Sequence, residues 1–207
     1  MMAFALSYGF VGAILALASL LEKTRVLSGE HARKFIHVGV AHWFLIAVFT
    51  FDDALRASIV PASFILINFL SYRFKLVKAM EREEPSSGDL GTVYYALSLT
   101  IITYLSFAYD TPLVGLFAVL GMGYGDGLGA IIGKRFGTAA LYHSKTLAGS
   151  LAMLGATLGV GLAIFQGQMI ILMFIAMMAT LVELFTPKGF DNLSVPLFIY
   201  FVAVLFL

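Results

Sequence analysis

A carboxylate lies inside a glycine-rich and otherwise apolar stretch of the sequence, residues 121–137. Glycines recur there at every fourth position, which places them along one side of a helix; they are Gly121, Gly125, Gly129, Gly133 and Gly137. A stripe of this kind is typical of close packing against a neighbouring helix. Asp126 does not fit that explanation, because a carboxylate at the centre of a membrane helix costs about 2.5–3.5 kcal/mol on insertion scales. Asp126 therefore needs a partner, a metal or a wet cleft.

Cations, hydroxyls and glycines stand at the end of this helix and at the start of the next apolar segment. In chain order they are Gly133, Lys134, Arg135, Lys145, Thr146, Gly149 and Ser150. The start of a helix presents free N–H groups and the positive end of the helix dipole, which suits a phosphate. The alternative is that Ser144 or Thr146 only caps the helix, with Lys145 at the lipid headgroups. Together with Asp126, these cations are the parts that bind a Mg²⁺-polyphosphate.

A third cluster begins the second apolar segment. Arg33 and His37 are four residues apart and share a helix face. A guanidinium there could hold phosphate oxygens while the imidazole forms a hydrogen bond or moves a proton. For His37 alone, a satisfied interfacial histidine is an equal alternative. Glu30 and Lys34 have the same spacing, which predicts a helix-stabilising ion pair, and His42, deeper in the segment, is expected to be structural.

Acidic residues also lie near the end of the chain. Glu183 is inside an apolar segment at roughly the depth of Asp126, so the two could share a cation or a proton. Asp191 and Asn192 follow in the next connection, where the alternative is that they form the turn and cap the last helix. The glycine stretch is not a standard nucleotide loop, because a Walker A motif needs Ser or Thr after its Lys and a dinucleotide loop follows a strand.

The composition points to a membrane protein. Of the 207 residues, 60% are apolar and 12% are charged, whereas charged residues make up about 25% of an ordinary soluble domain. The 13 Lys and Arg nearly cancel the 12 Asp and Glu, so no basic field exists to hold nucleic acid and none is expected as a partner. The sequence has no cysteine, which excludes disulfides, thiolate nucleophiles and Cys-ligated zinc.

Cutting the chain at charged and turn-forming clusters gives eight apolar segments. They lie at 4–21, 36–51, 54–70, 92–109, 112–132, 147–165, 169–186 and 193–207. A helix that spans a bilayer needs roughly 17–25 mostly apolar residues, so the second and last segments need interfacial ends or tilt. The sequence predicts an all-α integral membrane protein with about eight transmembrane helices in a single polytopic membrane domain, residues 1–207.

The cations predict the orientation, since loops rich in Lys and Arg stay on the cytoplasmic side. Twelve of the 13 cations follow the first, third, fifth and seventh segments, and the exception is Arg56. Both termini are therefore expected on the non-cytoplasmic side. The connections after the first, third and fifth segments are the long ones, which places the active site on the cytoplasmic face.

Five motifs together resemble the polyprenol kinase family, which includes phytol, farnesol, dolichol and CTP-dependent diacylglycerol kinases. In chain order they are Arg33-Lys34 with His37, residues 91–95, residues 125–137, Lys145-Thr146 with Gly149-Ser150, and Asp191-Asn192 with Val195-Pro196. The resemblance covers about residues 22–197. It implies a multi-helix membrane enzyme that moves the terminal phosphate of CTP, with a divalent cation, to the hydroxyl of a lipid alcohol.

The resemblance also suggests roles for the candidate residues. The catalytic group comprises Asp126, His37 and Lys145, and the Mg²⁺ ligands are Asp126, Glu183 and Asp191. The nucleotide and phosphate group comprises Arg33, Lys34, Gly125, Gly127, Gly133, Lys134, Arg135, Thr146, Gly149, Ser150 and Asn192. The expected partners are CTP, a lipid alcohol and the bilayer, and the glycine ridge leaves open whether it packs within one chain or in a homodimer.

Two other functions stay open. Residues 133–150 also resemble phosphatidate cytidylyltransferases, which use CTP and release pyrophosphate, although the Pro-Gly-His-Gly-Gly-like ending of that family is missing. Related sequences usually carry Glu where this chain has Ala148, so any role of that Glu is absent or supplied by Glu183. A small transporter is the remaining alternative, and it would need polar groups that reach the opposite membrane face.

Overall fold

The computed structural model describes residues 1–27, 29–76, 90–142, 145–187 and 189–207. Within these ranges the chain forms nine helices: α1 Met2–Lys23, α2 Glu30–Ala41, α3 Trp43–Thr50, α4 Ala54–Phe74, α5 Gly91–Ala108, α6 Pro112–Phe136, α7 Leu147–Ile164, α8 Met169–Phe185 and α9 Asp191–Phe206. Two short antiparallel strands, β1 Ala140–Tyr142 and β2 Lys145–Thr146, stand between α6 and α7. The fold is otherwise helical, as the sequence predicts.

The helices follow the eight predicted segments, with the second divided at His42. The amide of His42 donates to the carbonyl of Gly39, and the amide of Leu45 donates to the carbonyl of His42. These bonds close over three residues, as in a tighter 3₁₀ turn. The chain therefore stays helical from α2 into α3, and the two helices form one continuous segment, Glu30–Thr50.

The chain is a helical membrane protein. In the described ranges, six helical segments are long and apolar enough to cross a bilayer: α1, α2 with α3, α4, α5, α6 and α7. The apolar helices α8 and α9 are shorter, with 17 and 16 residues. Eight spans and the non-cytoplasmic position of both termini stay predictions.

Helix α6 lies at the centre of the bundle, in contact with α2, α3, α5, α7 and α9. Its glycine stripe packs against α7: a methyl group on Gly129 would lie 3.2 Å from the carbonyl oxygen of Gly149. On another face, methyl groups on Gly123 and Gly127 would lie 2.7 Å from Ala41 and 2.6 Å from Val38 of α2. Glycine thus lets α6 approach the backbone of α7 and the side chains of α2 closely, and the packing interpretation of the stripe is confirmed.

Six helix ends meet at one end of the bundle. The starts of α2, α5, α7 and α9 and the ends of α6 and α8 are joined there by polar contacts. Among the described Lys and Arg residues, only Arg56, near the start of α4, lies at the other end of the bundle. The predicted one-sided charge distribution is therefore a property of the folded bundle.

Candidate active site

Asp126 of α6 is buried at the charged end of the bundle and contacts two residues of α2. Its Oδ2 accepts a hydrogen bond from the Nζ of Lys34 at 2.5 Å, and the Nε2 of His37 lies 3.6 Å from the same oxygen. Lys34 and His37 are three residues apart, so one face of α2 presents both to α6. An ionised carboxylate this deep in apolar surroundings persists only beside an opposite charge. The partner that the sequence requires for Asp126 is Lys34.

The imidazole of His37 is held by its surroundings, but one ring nitrogen is unpaired. The ring stacks on Tyr95 with 4.0 Å between centroids, and the Tyr95 hydroxyl donates to the main-chain carbonyl of His37 at 3.2 Å. In the part of the chain that the structure describes, the buried Nε2 has no hydrogen-bond partner. An unpaired buried polar atom costs about 1–3 kcal/mol. The alternative of a fully satisfied histidine is therefore wrong for Nε2, which is buried and unpaired among the described residues.

Arg33 and Glu30 form a two-point ion pair at the start of α2. The Nη2 of Arg33 donates to one carboxylate oxygen of Glu30 at 2.5 Å, and its Nε donates to the other at 3.3 Å. The predicted contact between Glu30 and Lys34 is present but long, at 3.9 Å. Lys34 contacts Asp126 instead, and the Asp126 side chain is the more buried of the two carboxylates, 8% exposed against 26% for Glu30.

Lys145 is the centre of a second charged group. Its Nζ donates to the carboxylate of Glu183 and, at 3.3 Å, to the Oδ2 of Asp191. The other oxygen of Asp191 accepts from the amides of Gly189 and Asn192 at 3.1 and 3.0 Å. Asp191 therefore forms the turn before α9, as one alternative predicts, and also reaches Lys145.

The electrostatics of this group keep Lys145 charged. Burial disfavours the ammonium form, but the nearby carboxylates of Asp191 and Glu183 outweigh that penalty, so the pKa of Lys145 lies above its ordinary value. Lys145 is consequently a cation at neutral pH. A lysine fixed in this way can neutralise a phosphate that approaches the same carboxylates.

The two charged groups belong to one site. Asp126 lies near enough for its charge to act on both Lys145 and Glu183. Asn192 follows Asp191 directly, donates to the carbonyl of Gly91 at 2.9 Å, and lines the same cavity as Arg33 and His37. Residues from the beginning, middle and end of the chain therefore meet at one end of the bundle, and their roles in binding and catalysis stay predictions.

The predicted magnesium ligands are divided between the two groups. Asp126 contacts Lys34, whereas Glu183 and Asp191 converge on Lys145. No cluster of three His, Cys, Asp or Glu with metal-site geometry occurs in the described ranges. Mg²⁺ that arrives with a polyphosphate needs only one or two protein carboxylates. The pair Glu183 and Asp191 fits that requirement, and Mg²⁺ binding stays a prediction.

Curated relatives cover most of the chain. A phytol kinase of Synechocystis sp. is 29% identical over 198 residues, which cover 91% of this chain and 84% of that protein. A probable chloroplastic phytol kinase of Triticum aestivum is 30% identical over 212 residues, with 89% and 70% covered. The chain belongs to the phytol kinase family. No family model matches this phytol kinase family member, and no solved structure matches it significantly.

Four glycines predicted to bind nucleotide in this phytol kinase family member lie between helices. Gly125, Gly133 and Gly149 are in the contact between α6 and α7, and Gly127 faces α2. Their positions are those of packing residues, and nucleotide binding by them stays a prediction. Close approach of the backbones also fixes where α7 begins relative to Asp126, so packing and site geometry are coupled.

The other predicted phosphate ligands lie around the start of α7 and the end of α6. Thr146 caps α7, since its Oγ1 accepts from the amide of Gly149 at 3.2 Å, which confirms one capping alternative; Ser144 lies outside the described residues. The hydroxyl of Ser150 is buried without a hydrogen-bond partner among the described residues. Lys134 and Arg135 are exposed at the end of α6. Phosphate binding by these four residues stays a prediction.

Two aromatic residues, Tyr95 and His42, have supporting positions in this phytol kinase family member. Tyr95 supports the ring of His37. The sequence indicates its motif, residues 91–95, but not the residue itself, because 58 positions separate it from His37 and leave no local signal. His42 is structural, as predicted: its Nδ1 contacts the carbonyl of Val38 at 2.9 Å and its Nε2 contacts the Tyr124 hydroxyl at 3.0 Å.

Proposed function

We propose that this protein is a CTP-dependent lipid-alcohol kinase that acts at the cytoplasmic membrane face. Its acceptor is an isoprenoid alcohol (phytol, farnesol or a polyprenol) or diacylglycerol. The observation that carries the proposal is the buried contact of Asp126 with Lys34 and His37, beside the cation Lys145. The names of the relatives support a kinase with an alcohol acceptor.

The reaction needs charge neutralisation and alignment more than covalent chemistry. The alcohol oxygen forms a bond to the terminal phosphorus of CTP while the bond from that phosphorus to the bridging oxygen breaks, and CDP leaves with the electron pair. His37 orients the hydroxyl through Nε2. Asp126 accepts the hydroxyl proton at Oδ2, which Lys34 keeps ionised in the resting enzyme.

The phosphates would lie between the two charged groups. Arg33, Lys34 and Lys145 supply positive charge around the position of Asp126. Glu183 and Asp191 would hold Mg²⁺, which when bound neutralises phosphate oxygens that do not contact a lysine or arginine. With its carboxylates engaged by the ion, Lys145 would contact the phosphate directly.

The position of the buried charges does not support the transporter alternative. In the described ranges the buried charged residues are Arg33, Lys34, Asp126, Glu183 and Asp191. All of them lie at the charged end of the bundle, whereas a transporter needs access from both faces.

The test uses purified protein, Mg²⁺ and a panel of phytol, farnesol, a polyprenol, diacylglycerol and phosphatidate. CTP is labelled on either its alpha or its gamma phosphorus, and label is counted in the organic phase. We expect gamma label in a lipid. Alpha label in lipid with pyrophosphate released would establish the cytidylyltransferase instead, and transfer of neither label to any lipid would refute the kinase.

A further inference from the structure

The connection between α6 and α7, which contains the strand pair β1–β2, presents a continuous exposed surface at the charged end of the bundle. Residues 134–136 and 138–142 are all exposed. The large apolar side chains at this surface, together with Phe185 at the end of α8, are between 44% and 63% exposed. We define the strand patch as Lys134, Arg135, Phe136, Leu141, Tyr142 and Phe185.

Both strands of the pair contact the end of α8. Tyr142 of β1 is the cross-strand partner of Lys145 of β2. The ring of Tyr142 lies 5.5 Å from that of Phe185, and the Nζ of Lys145 donates to the carboxylate of Glu183 in the same helix. These contacts hold the strand pair where α6 ends and α7 begins. Because α6 and α7 are both long and apolar enough to cross a bilayer, this position is at the membrane surface.

The head-group layer of a membrane suits both the backbone and the side chains of the strand pair. A two-stranded sheet has outer N–H and C=O groups that would lack partners in hydrocarbon, so it does not lie in the bilayer core. The exposed side chains of Phe136, Leu141 and Tyr142 are apolar or aromatic, and their contact with water is unfavourable. Aromatic residues are enriched at the head-group level, where both requirements are met.

The charge of the strand patch is positive. Residues 127–182 include three Lys or Arg and no Asp or Glu, and two of these cations, Lys134 and Arg135, are exposed. The guanidinium carbon of Arg135 lies 5.3 Å from the centre of the Phe136 ring, within the range of a cation–π contact. The cationic and apolar parts of the patch are therefore continuous, and such a surface complements a lipid with an acidic head group.

We propose that the strand patch binds acidic membrane lipids, with the lipid phosphate at Lys134 and Arg135 and the apolar side chains against the upper acyl chains. A guanidinium can bind phosphate oxygens at two points while its flat face rests on an aromatic ring. The proposal assigns a lipid phosphate, instead of a nucleotide phosphate, to these two cations. The lipid is a component of the bilayer and not a reactant, so the proposal goes beyond the proposed function and does not depend on it.

Because the sequence has no cysteine, one introduced cysteine can report on the strand patch. Leu141→Cys is labelled with the fluorophore nitrobenzoxadiazole, and the full chain is reconstituted in vesicles of phosphatidylcholine with some phosphatidylglycerol. A trace of nitroxide-labelled phosphatidylglycerol or nitroxide-labelled phosphatidylcholine then serves as the quencher. One Lys or Arg near a membrane surface favours an anionic lipid about fivefold, so we expect phosphatidylglycerol to quench at least about fivefold more effectively.

Two results with this label would overturn the proposal. Emission typical of water with no quenching by either lipid would place the strand pair away from the bilayer. Equal quenching by the two lipids would show contact with lipid but no preference for an acidic head group. Thr138→Cys, at another exposed position of the same connection, replaces Leu141→Cys if that variant does not fold.

Ile170→Cys provides the matched control position. Ile170 is exposed near the start of α8, at the opposite end of the bundle, where Arg56 is the single cation among the described Lys and Arg residues. A label there should be quenched equally by the two lipids. A preference for phosphatidylglycerol as large as that at Leu141→Cys would show that the strand patch is not its source, and would contradict the proposal.

Two double variants locate the lipid phosphate. Lys134→Gln with Arg135→Gln removes both cations of the strand patch, whereas Lys23→Gln with Arg25→Gln removes two exposed cations at the end of α1. Only the first should abolish the preference measured at Leu141→Cys. Salt at about 1 M, which shortens the Debye length to about 3 Å, should abolish it as well. A preference that survives in the first double variant, or that is lost equally in both, would refute binding at this patch.

Discussion

The Nζ of Lys34 and the Oδ2 of Asp126 lie 2.5 Å apart, although 92 positions separate the residues in the chain. Both side chains are buried, so neither charge can exchange its partner for water. The pair therefore connects the start of α2 to the second half of α6. It also sets the position of His37, which lies on the same face of α2 as Lys34. This one contact links the stability of the bundle to the geometry of the candidate site.

Asp126→Asn is expected to abolish phosphate transfer while the protein stays folded. A positioned general base contributes about 10²–10⁴-fold to a rate, so turnover should fall at least into that range. The variant leaves Lys34 without its counter-charge, and its melting temperature should therefore fall. Adding Lys34→Met should recover the melting temperature without recovering activity, because the buried pair is then neutral. Activity that survives in Asp126→Asn would exclude this residue from the reaction.

His37→Phe and His42→Phe should have opposite effects. The first keeps a ring against Tyr95 and removes a nitrogen that has no partner among the described residues, so turnover should fall with little change in melting temperature. The second removes contacts to Val38 and Tyr124, each worth about 0.5–1.5 kcal/mol, so it should lower the melting temperature and spare the affinity for alcohol. Equal loss of stability in both variants would argue against a functional role for His37.

The raised pKa of Lys145 predicts how the stability of the folded protein changes at alkaline pH. Its pKa in the folded protein is raised by Asp191 and Glu183 above the ordinary value, which is about 10.4. A raised pKa contributes stability that is complete below the unfolded value and is lost as the pH rises through the folded value. Glu183→Gln removes one carboxylate and should shift this loss to lower pH. Melting temperatures measured from about pH 8 to pH 11.5 test the shift; coincident profiles for the two proteins would contradict it.

Two glycines of α7 offer a matched test of helix packing. A methyl group at Gly149 would lie 2.8 Å from the carbonyl oxygen of Gly129, whereas one at Gly155 would meet nothing within 4 Å. Gly149→Ala should therefore destabilise the protein by about 1–3 kcal/mol and lower turnover, because α6 and α7 move apart beside Asp126. Gly155→Ala should be neutral or slightly stabilising, since alanine favours helix. Thermal unfolding in detergent measures both, and the same result for the two would refute the packing role.

The sequence by itself determined the helices and the most unusual residue. Apolar length and the clusters of charge that interrupt it are local properties, so the segment boundaries differ from the observed helices by only a few residues. The cost of a carboxylate in apolar surroundings is also local, and it identified Asp126 and Glu183 without knowledge of their neighbours. The fourfold glycine spacing likewise predicted close packing on one side of α6.

Only the tertiary structure decided which charges pair. Glu30 is nearer to Lys34 in sequence, yet Lys34 contacts Asp126 because α2 packs against α6 through Gly123 and Gly127. The carboxylates expected to share one ion contact two different lysines, since Asp126 contacts Lys34 whereas Glu183 and Asp191 contact Lys145. The cavity lined by Arg33, His37 and Asn192 has walls from six helices, and no segment of sequence contains it. Pairing and cavity shape depend on which helices become neighbours, and a hydrophobic pattern carries no information about that choice.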